Sequence, residues 1–168
     1  GATETRSLND MFLESLRSTA ARILAHANRS DLAFIGRTPE NLYDYLSGCF
    51  EGLRDTPRLH LIQYSLRNAS AVDQLPEPAL QGLFEYLTAE GLGPKAIATG
   101  SRPIALVDFV ASGRTMEGLI RLMKLQAERE EFPQHLALAT ASGLAAFHSG
   151  CDHSKCFRAC SLPPLSRQ

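Results

Sequence analysis

Tryptophan is absent, and aromatic residues of all kinds make up 7% of the chain, so a platform for stacking nucleobases is not expected. An excess of either charge is also missing. The chain has 17 Lys and Arg against 18 Asp and Glu, a formal charge of -1. That balance argues against a strongly basic nucleic-acid binder and against an acidic solvating tail. No apolar run approaches the ~18 residues of a bilayer-crossing helix, so no membrane partner is expected. Cysteine is scarce: Cys49 stands alone, and Cys151, Cys156 and Cys160 crowd the C-terminal end. This is not the spread framework of a small disulfide-stapled secreted domain. With no basic segment and apolar core at the first residues, a cytoplasmic location is expected. Two catalytic signatures are missing as well. Without a Gly-x-Ser-x-Gly elbow or a Walker loop, a serine hydrolase or a P-loop NTPase is a poor reading.

What is present is ordinary globular composition: 168 residues, 44% apolar and 21% charged. That is one domain's worth of chain, long enough to bury a core. Residues 7–28 read as an amphipathic helix, with Leu8, Met11, Phe12, Leu16, Ala20, Ile23 and Leu24 at three- and four-residue spacing and Ser7 as its cap. Leu32–Ile35 is a short apolar strand. Thr38 and Pro39 then have the chemistry of a helix start, the helix running to about Leu53 with Leu42, Tyr45, Leu46, Cys49 and Phe50 facing inward. Leu59–Tyr64 is a second strand, Ser65–Gln74 a polar loop, and a third helix opens at Pro76 or Pro78 and ends near Gly91. Ile104–Val110 is the strongest strand, nearly all apolar, as befits a parallel strand covered on both faces. Thr115 is positioned to cap a helix to about Glu130, in which Met116 and Met123 read as packing residues. A last strand is expected at His135–Thr140.

Alternation of this kind predicts an α/β fold: a mostly parallel sheet of at least four strands flanked by helices. Residues 1–142 form the expected single domain. Residues 143–168 are a Cys/His-rich tail by composition.

The segment with the most chemistry is Ile104–Thr115. An apolar strand ends in an acid, Asp108, and Ala111-Ser112-Gly113-Arg114-Thr115 opens a helix. Ligands of open α/β sheets sit at the carboxyl ends of strands. A helix N-terminus offers free N–H groups and the positive end of a dipole to an anion. Gly113 permits close backbone approach, and Ser112 and Thr115 add hydroxyls. A plain βα turn with a helix cap is the competing account of the same residues. The coincidence of acid, glycine and two hydroxyls favours anion binding.

Val107-Asp108-Phe109-Val110-Ala111-Ser112-Gly113-Arg114-Thr115 resembles the hallmark of type I phosphoribosyltransferases: a hydrophobic strand, one or two acids, a spacer and a Thr/Ser-Gly-x-Thr loop. The resemblance extends by element order over roughly residues 31–142. It departs in two places. Phe109 stands where a second acid is usual, and the loop is one residue shorter than the common form. The resemblance implies a phosphoribosyltransferase-like fold and transfer of a phosphoribosyl group from phosphoribosyl diphosphate to a small-molecule nitrogen acceptor. Pyrophosphate would leave, magnesium would assist and a homodimer is common. By the same resemblance, Ala111 to Thr115 hold the 5-phosphate and Asp108 the ribose. Gly36 and Arg37 meet the pyrophosphate, and Arg67 serves in a closing loop. A non-catalytic relative that binds a sugar phosphate or nucleotide as a regulator is the alternative. A third class is a zinc-bearing interaction module on the tail, where Cys151, His153, Cys156 and Cys160, with His148 nearby, supply ligand chemistry at no standard spacing.

Overall fold

The computed structural model describes residues 7–27, 29–65, 69–110, 114–132, 143–147 and 156–162. The helices are α1 (Leu8–Ala27), α2 (Glu40–Phe50), α3 (Ala69–Asp73), α4 (Glu77–Ala89), α5 (Pro94–Thr99) and α6 (Arg114–Arg129). The strands are β1 (Asp31–Ile35), β2 (Leu59–Ile62), β3 (Ile104–Val110), β4 (Gly143–Phe147) and β5 (Cys156–Leu162).

The protein is α/β, with a three-stranded parallel sheet at its centre. β1 lies between β2 and β3 and runs parallel to both, with Ile35 opposite Ile62 on one side and Asp108 on the other. β3 pairs antiparallel with β5, and β5 with β4, so the full order is β2-β1-β3-β5-β4. Parallel pairing is therefore limited to three strands, and the expected predominance of parallel strands is seen only there. The two antiparallel strands fall in the C-terminal 143–168 segment. The strand expected at residues 135–140 lies outside the described residues.

Side-chain alternation explains why the centre is covered on both faces. Leu32 and Phe34 of β1 join Ala105 and Val107 of β3 against Ala20, Ile23, Leu42 and Leu46 of α1 and α2. Ala33 and Ile35 point the other way. With Ile62, Ile104 and Leu106 they pack against Phe84, Leu87, Met116, Leu119 and Leu122 of α4 and α6. The β1–β2 connection thus runs over one face and the β2–β3 connection over the other. The two crossovers step in opposite directions on opposite faces, so they share one hand, as parallel connections do.

Local chemistry accounts for most element ends. At α1, the Ser7 hydroxyl accepts from the Asp10 N–H at 3.1 Å while the Asp10 carboxylate accepts from the Ser7 N–H at 3.3 Å, a reciprocal cap. At α2 the expected Thr38 cap does not form. The helix begins one residue later than predicted, at Glu40 behind Pro39, with no side-chain cap. The Glu40 N–H instead donates to the Arg37 carbonyl at 3.2 Å, so a tight backbone turn does the work assigned to the threonine hydroxyl. At α6 the helix starts at Arg114, which puts Thr115 inside the first turn rather than at the cap.

Three further expectations change. The 65–74 segment, read as loop, contains α3, whose Val72 is buried. α5 was not anticipated; Pro94 occupies its first turn, where the missing N–H is harmless. On α1, Leu8, Met11 and Phe12 are exposed, and on α2 so is Cys49. The helical periodicity is right, but the core reaches only part of each stripe.

Candidate functional site

Gly36 follows β1 directly and has φ +80. A Cβ there would meet nothing within 4 Å, so the requirement for glycine is conformational rather than spatial. The Gly36 N–H donates to the Ile62 carbonyl at 2.7 Å, which holds the turn to β2 as the chain leaves the sheet. Arg37 is exposed at the rim of this turn and Pro39 is buried beneath it.

Across the β1–β3 pairing, Ile35 is in register with Asp108. Asp108 is buried, 9% exposed, near the carboxyl end of β3. The alternation Ile104, Leu106, Asp108 puts its side chain on the sheet face covered by α6. Arg114 and Thr115 form the start of α6, Arg114 exposed and Thr115 half-buried. Ala111, Ser112 and Gly113, which join β3 to α6, lie outside the described residues, as does Arg67.

The sheet topology makes this end special. β1 sends its connection toward β2, whereas β3 sends its own away on the α6 side. The chain thus diverges between the carboxyl ends of β1 and β3, the place where open α/β sheets form a crevice. Gly36 and Arg37 stand on one side of that divergence. Asp108 and the first turn of α6 stand on the other. The amino end of α6, a 16-residue helix, follows the carboxyl end of β3 and carries the positive end of the helix dipole.

Of the candidate zinc ligands, Cys156 and Cys160 fall on β5. Cys151 and His153 lie outside the described residues. Among the described residues, no cluster of three or more His, Cys, Asp or Glu is arranged to hold a metal. Among the same residues, no helix is long and apolar enough to cross a membrane.

Sequence reasoning did not single out Tyr64, two residues past β2. It is buried in the same cluster as Met116 of α6, and its hydroxyl has no hydrogen-bond partner among the described residues. Burial pushes its phenol well above the usual range, so it stays protonated. Nor did the sequence mark two cavities of about 590 and 570 Å³ at the opposite, amino end of the sheet. They share Asp55 and Arg102, whose guanidinium donates to the Asp55 carbonyl at 2.6 Å. They lie away from Asp108 and α6. No family model, curated protein or solved structure matches this chain.

Proposed function

We propose that the protein is a phosphoribosyltransferase-like α/β domain that binds phosphoribosyl diphosphate at the carboxyl ends of β1 and β3 and transfers the phosphoribosyl group to a nitrogen acceptor. The observation that carries this reading is the placement of two chemically suitable segments on either side of one topological divergence. Ile35, directly before Gly36 and Arg37, is in register with Asp108 of the neighbouring strand. A ligand with a phosphate at one end and a diphosphate at the other suits such a pair of loops.

In this reading the 5-phosphate meets the amides at the start of α6 and the hydroxyls of Ser112 and Thr115. Asp108 accepts from the ribose hydroxyls. Arg37, whose planar fork matches phosphate oxygens, meets the diphosphate. The protein's contribution to the displacement is positioning, together with charge stabilisation of the departing diphosphate. Magnesium enters through the resemblance. Asp108 offers a single carboxylate, which suffices for an ion that takes most of its other oxygens from water and substrate phosphates. Such an ion would neutralise the leaving group.

The test is turnover: phosphoribosyl diphosphate, magnesium and a panel of nitrogen nucleophiles, with pyrophosphate release as the signal. Release that requires both an acceptor and Asp108 supports the transferase. Saturable binding without release with any acceptor favours the second reading, a regulatory module. Phe109, in the position of the usual second acid, is the observation that keeps this second reading open.

A further inference from the structure

The residues just ahead of the three parallel strands bring arginines together. Arg58 precedes β2, Arg29 and Ser30 precede β1, and Arg102 and Pro103 precede β3. Backbone hydrogen bonds hold these three entries side by side. The Asp31 N–H donates to the Pro103 carbonyl and the Leu32 N–H to the Arg58 carbonyl, both at 2.8 Å. Three guanidinium groups thus belong to one end of the sheet, spread over two strand spacings of roughly 10 Å. Among the described residues, the ion pairs involve neither Arg29 nor Arg58.

The same end holds the two cavities of about 590 and 570 Å³, each of a size that suits a small molecule. Their walls differ. The larger has Leu24, Ala27 and Pro57 beside Arg29. The smaller has Arg58 with the hydroxyl residues Thr56, Thr99 and Ser101. Arg102 and Asp55 line both. The bond to the Asp55 carbonyl fixes the Arg102 guanidinium there and uses one of its five N–H donors. Arg29 and Asp55 have φ +64 and +58, a backbone conformation uncommon outside glycine, so both wall segments are held in unusual turns. Two acids share these walls with the three arginines. Asp31 is already engaged, its carboxylate accepting from the Arg58 N–H at 2.8 Å, and Asp55 is the other.

We propose that the two cavities form one ligand site at the amino end of the sheet, which takes a small phosphate ester with an apolar body, of the chemical class of a nucleoside monophosphate. The phosphate meets Arg58 and Arg102 in the polar cavity, where planar guanidinium forks match its oxygens and the Thr56 and Ser101 hydroxyls add donors. The body lies in the neighbouring cavity against Leu24, Ala27 and Pro57. The site is at the end of the sheet opposite Asp108, so it stands independently of the phosphoribosyl diphosphate reading.

The experiment is calorimetric titration of the full chain with adenosine monophosphate, with adenosine and inorganic phosphate as references. It is repeated on Arg58→Gln and on Thr115→Ala, with melting curves to establish folding. Arg58 is exposed, so its replacement is expected to leave the fold intact. The expected result is saturable binding of the nucleotide, tighter than that of either reference. Arg58→Gln weakens it roughly tenfold or more, the scale of a hydrogen bond between charged groups, and Thr115→Ala, at the other end of the sheet, leaves it unchanged. No binding by the folded unaltered protein overturns the proposal, as does full affinity in Arg58→Gln. A loss confined to Thr115→Ala puts the nucleotide at the carboxyl end and overturns it too. So does an equal loss in both variants, which would mean that the changes act through the fold. Inorganic phosphate or adenosine binding as tightly as the nucleotide contradicts the pairing of the two cavities. Should Arg58→Gln not fold, Arg58→Met keeps an apolar stem without the charge and gives the same comparison.

Discussion

Individual residues shape the ends of the strands through backbone geometry as much as through charge. Gly36 and Gly91 both have positive φ, but their surroundings differ. At Gly36 a methyl group has open space, so Gly36→Ala should destabilise by about 1–2 kcal/mol from conformational strain alone. At Gly91 a Cβ would lie 2.8 Å from His60 Cε1, and the His60 ring is held by the Glu90 carbonyl at 2.8 Å. Gly91→Ala should therefore be the more damaging of the two, and urea titrations of the two variants side by side would check the order. At the loop proposed to hold the 5-phosphate the expectation is the reverse, function lost and fold kept. Thr115→Ala and Gly113→Val should each weaken phosphoribosyl diphosphate binding at least severalfold with little change in melting temperature. Undiminished binding in both would reduce the loop to a structural turn. Asp108 and Gly36 were legible in the sequence because an acid after an apolar strand and a glycine after another are local patterns. Tyr64 was not, because an orphaned hydroxyl is defined by what surrounds it, and no local pattern reports that.

Among the elements, α6 ties the second layer together. Its buried side includes Met116, Leu119, Leu122 and Met123, of which Met116 and Met123 were expected as packing residues. Leu119 is fully buried, so Leu119→Ala should cost about 2–5 kcal/mol by chemical denaturation, well above any surface change on the same helix. The far end of α6 meets α4 through Arg129, which pairs with Glu77 and lies 5.7 Å over the Phe84 ring. The hydrogen bond from Arg129 holds the Glu77 carboxyl below its usual range. A folded-state pKa below the unfolded one contributes stability above the ordinary glutamate range, and that contribution is lost as pH falls through the lowered value. Both groups are fully exposed, so the effect should be small and should fade with added salt. Comparing acid unfolding of Glu77→Gln with the unaltered chain at low and high salt would detect it. Element ends were less legible than element cores. Thr38 and Thr115 carry cap chemistry in the sequence, yet backbone turns set the start of α2 one residue beyond Pro39, and α6 starts at Arg114. The exposure of Leu8, Met11 and Phe12 is also beyond periodicity, which reports a face but not how far the core extends along it.

At the scale of the whole molecule, the alternation of strands and helices foretold an α/β fold covered on two faces, and the structure has that arrangement around β2-β1-β3. The antiparallel pairing of β5 with β3 was not legible, because Cys156–Leu162 carries no strand signal that distinguishes it from a tail; only proximity to β3 defines its partner. The central claim is that the divergence between β1 and β3 forms a phosphoribosyl diphosphate site. Calorimetric titration of the intact protein with phosphoribosyl diphosphate, with and without magnesium, tests it most directly, with ribose 5-phosphate and pyrophosphate as references. The account predicts saturable one-site binding that tightens with magnesium and is weakened by Asp108→Asn. Failure of a folded protein to bind any of the three ligands would contradict it.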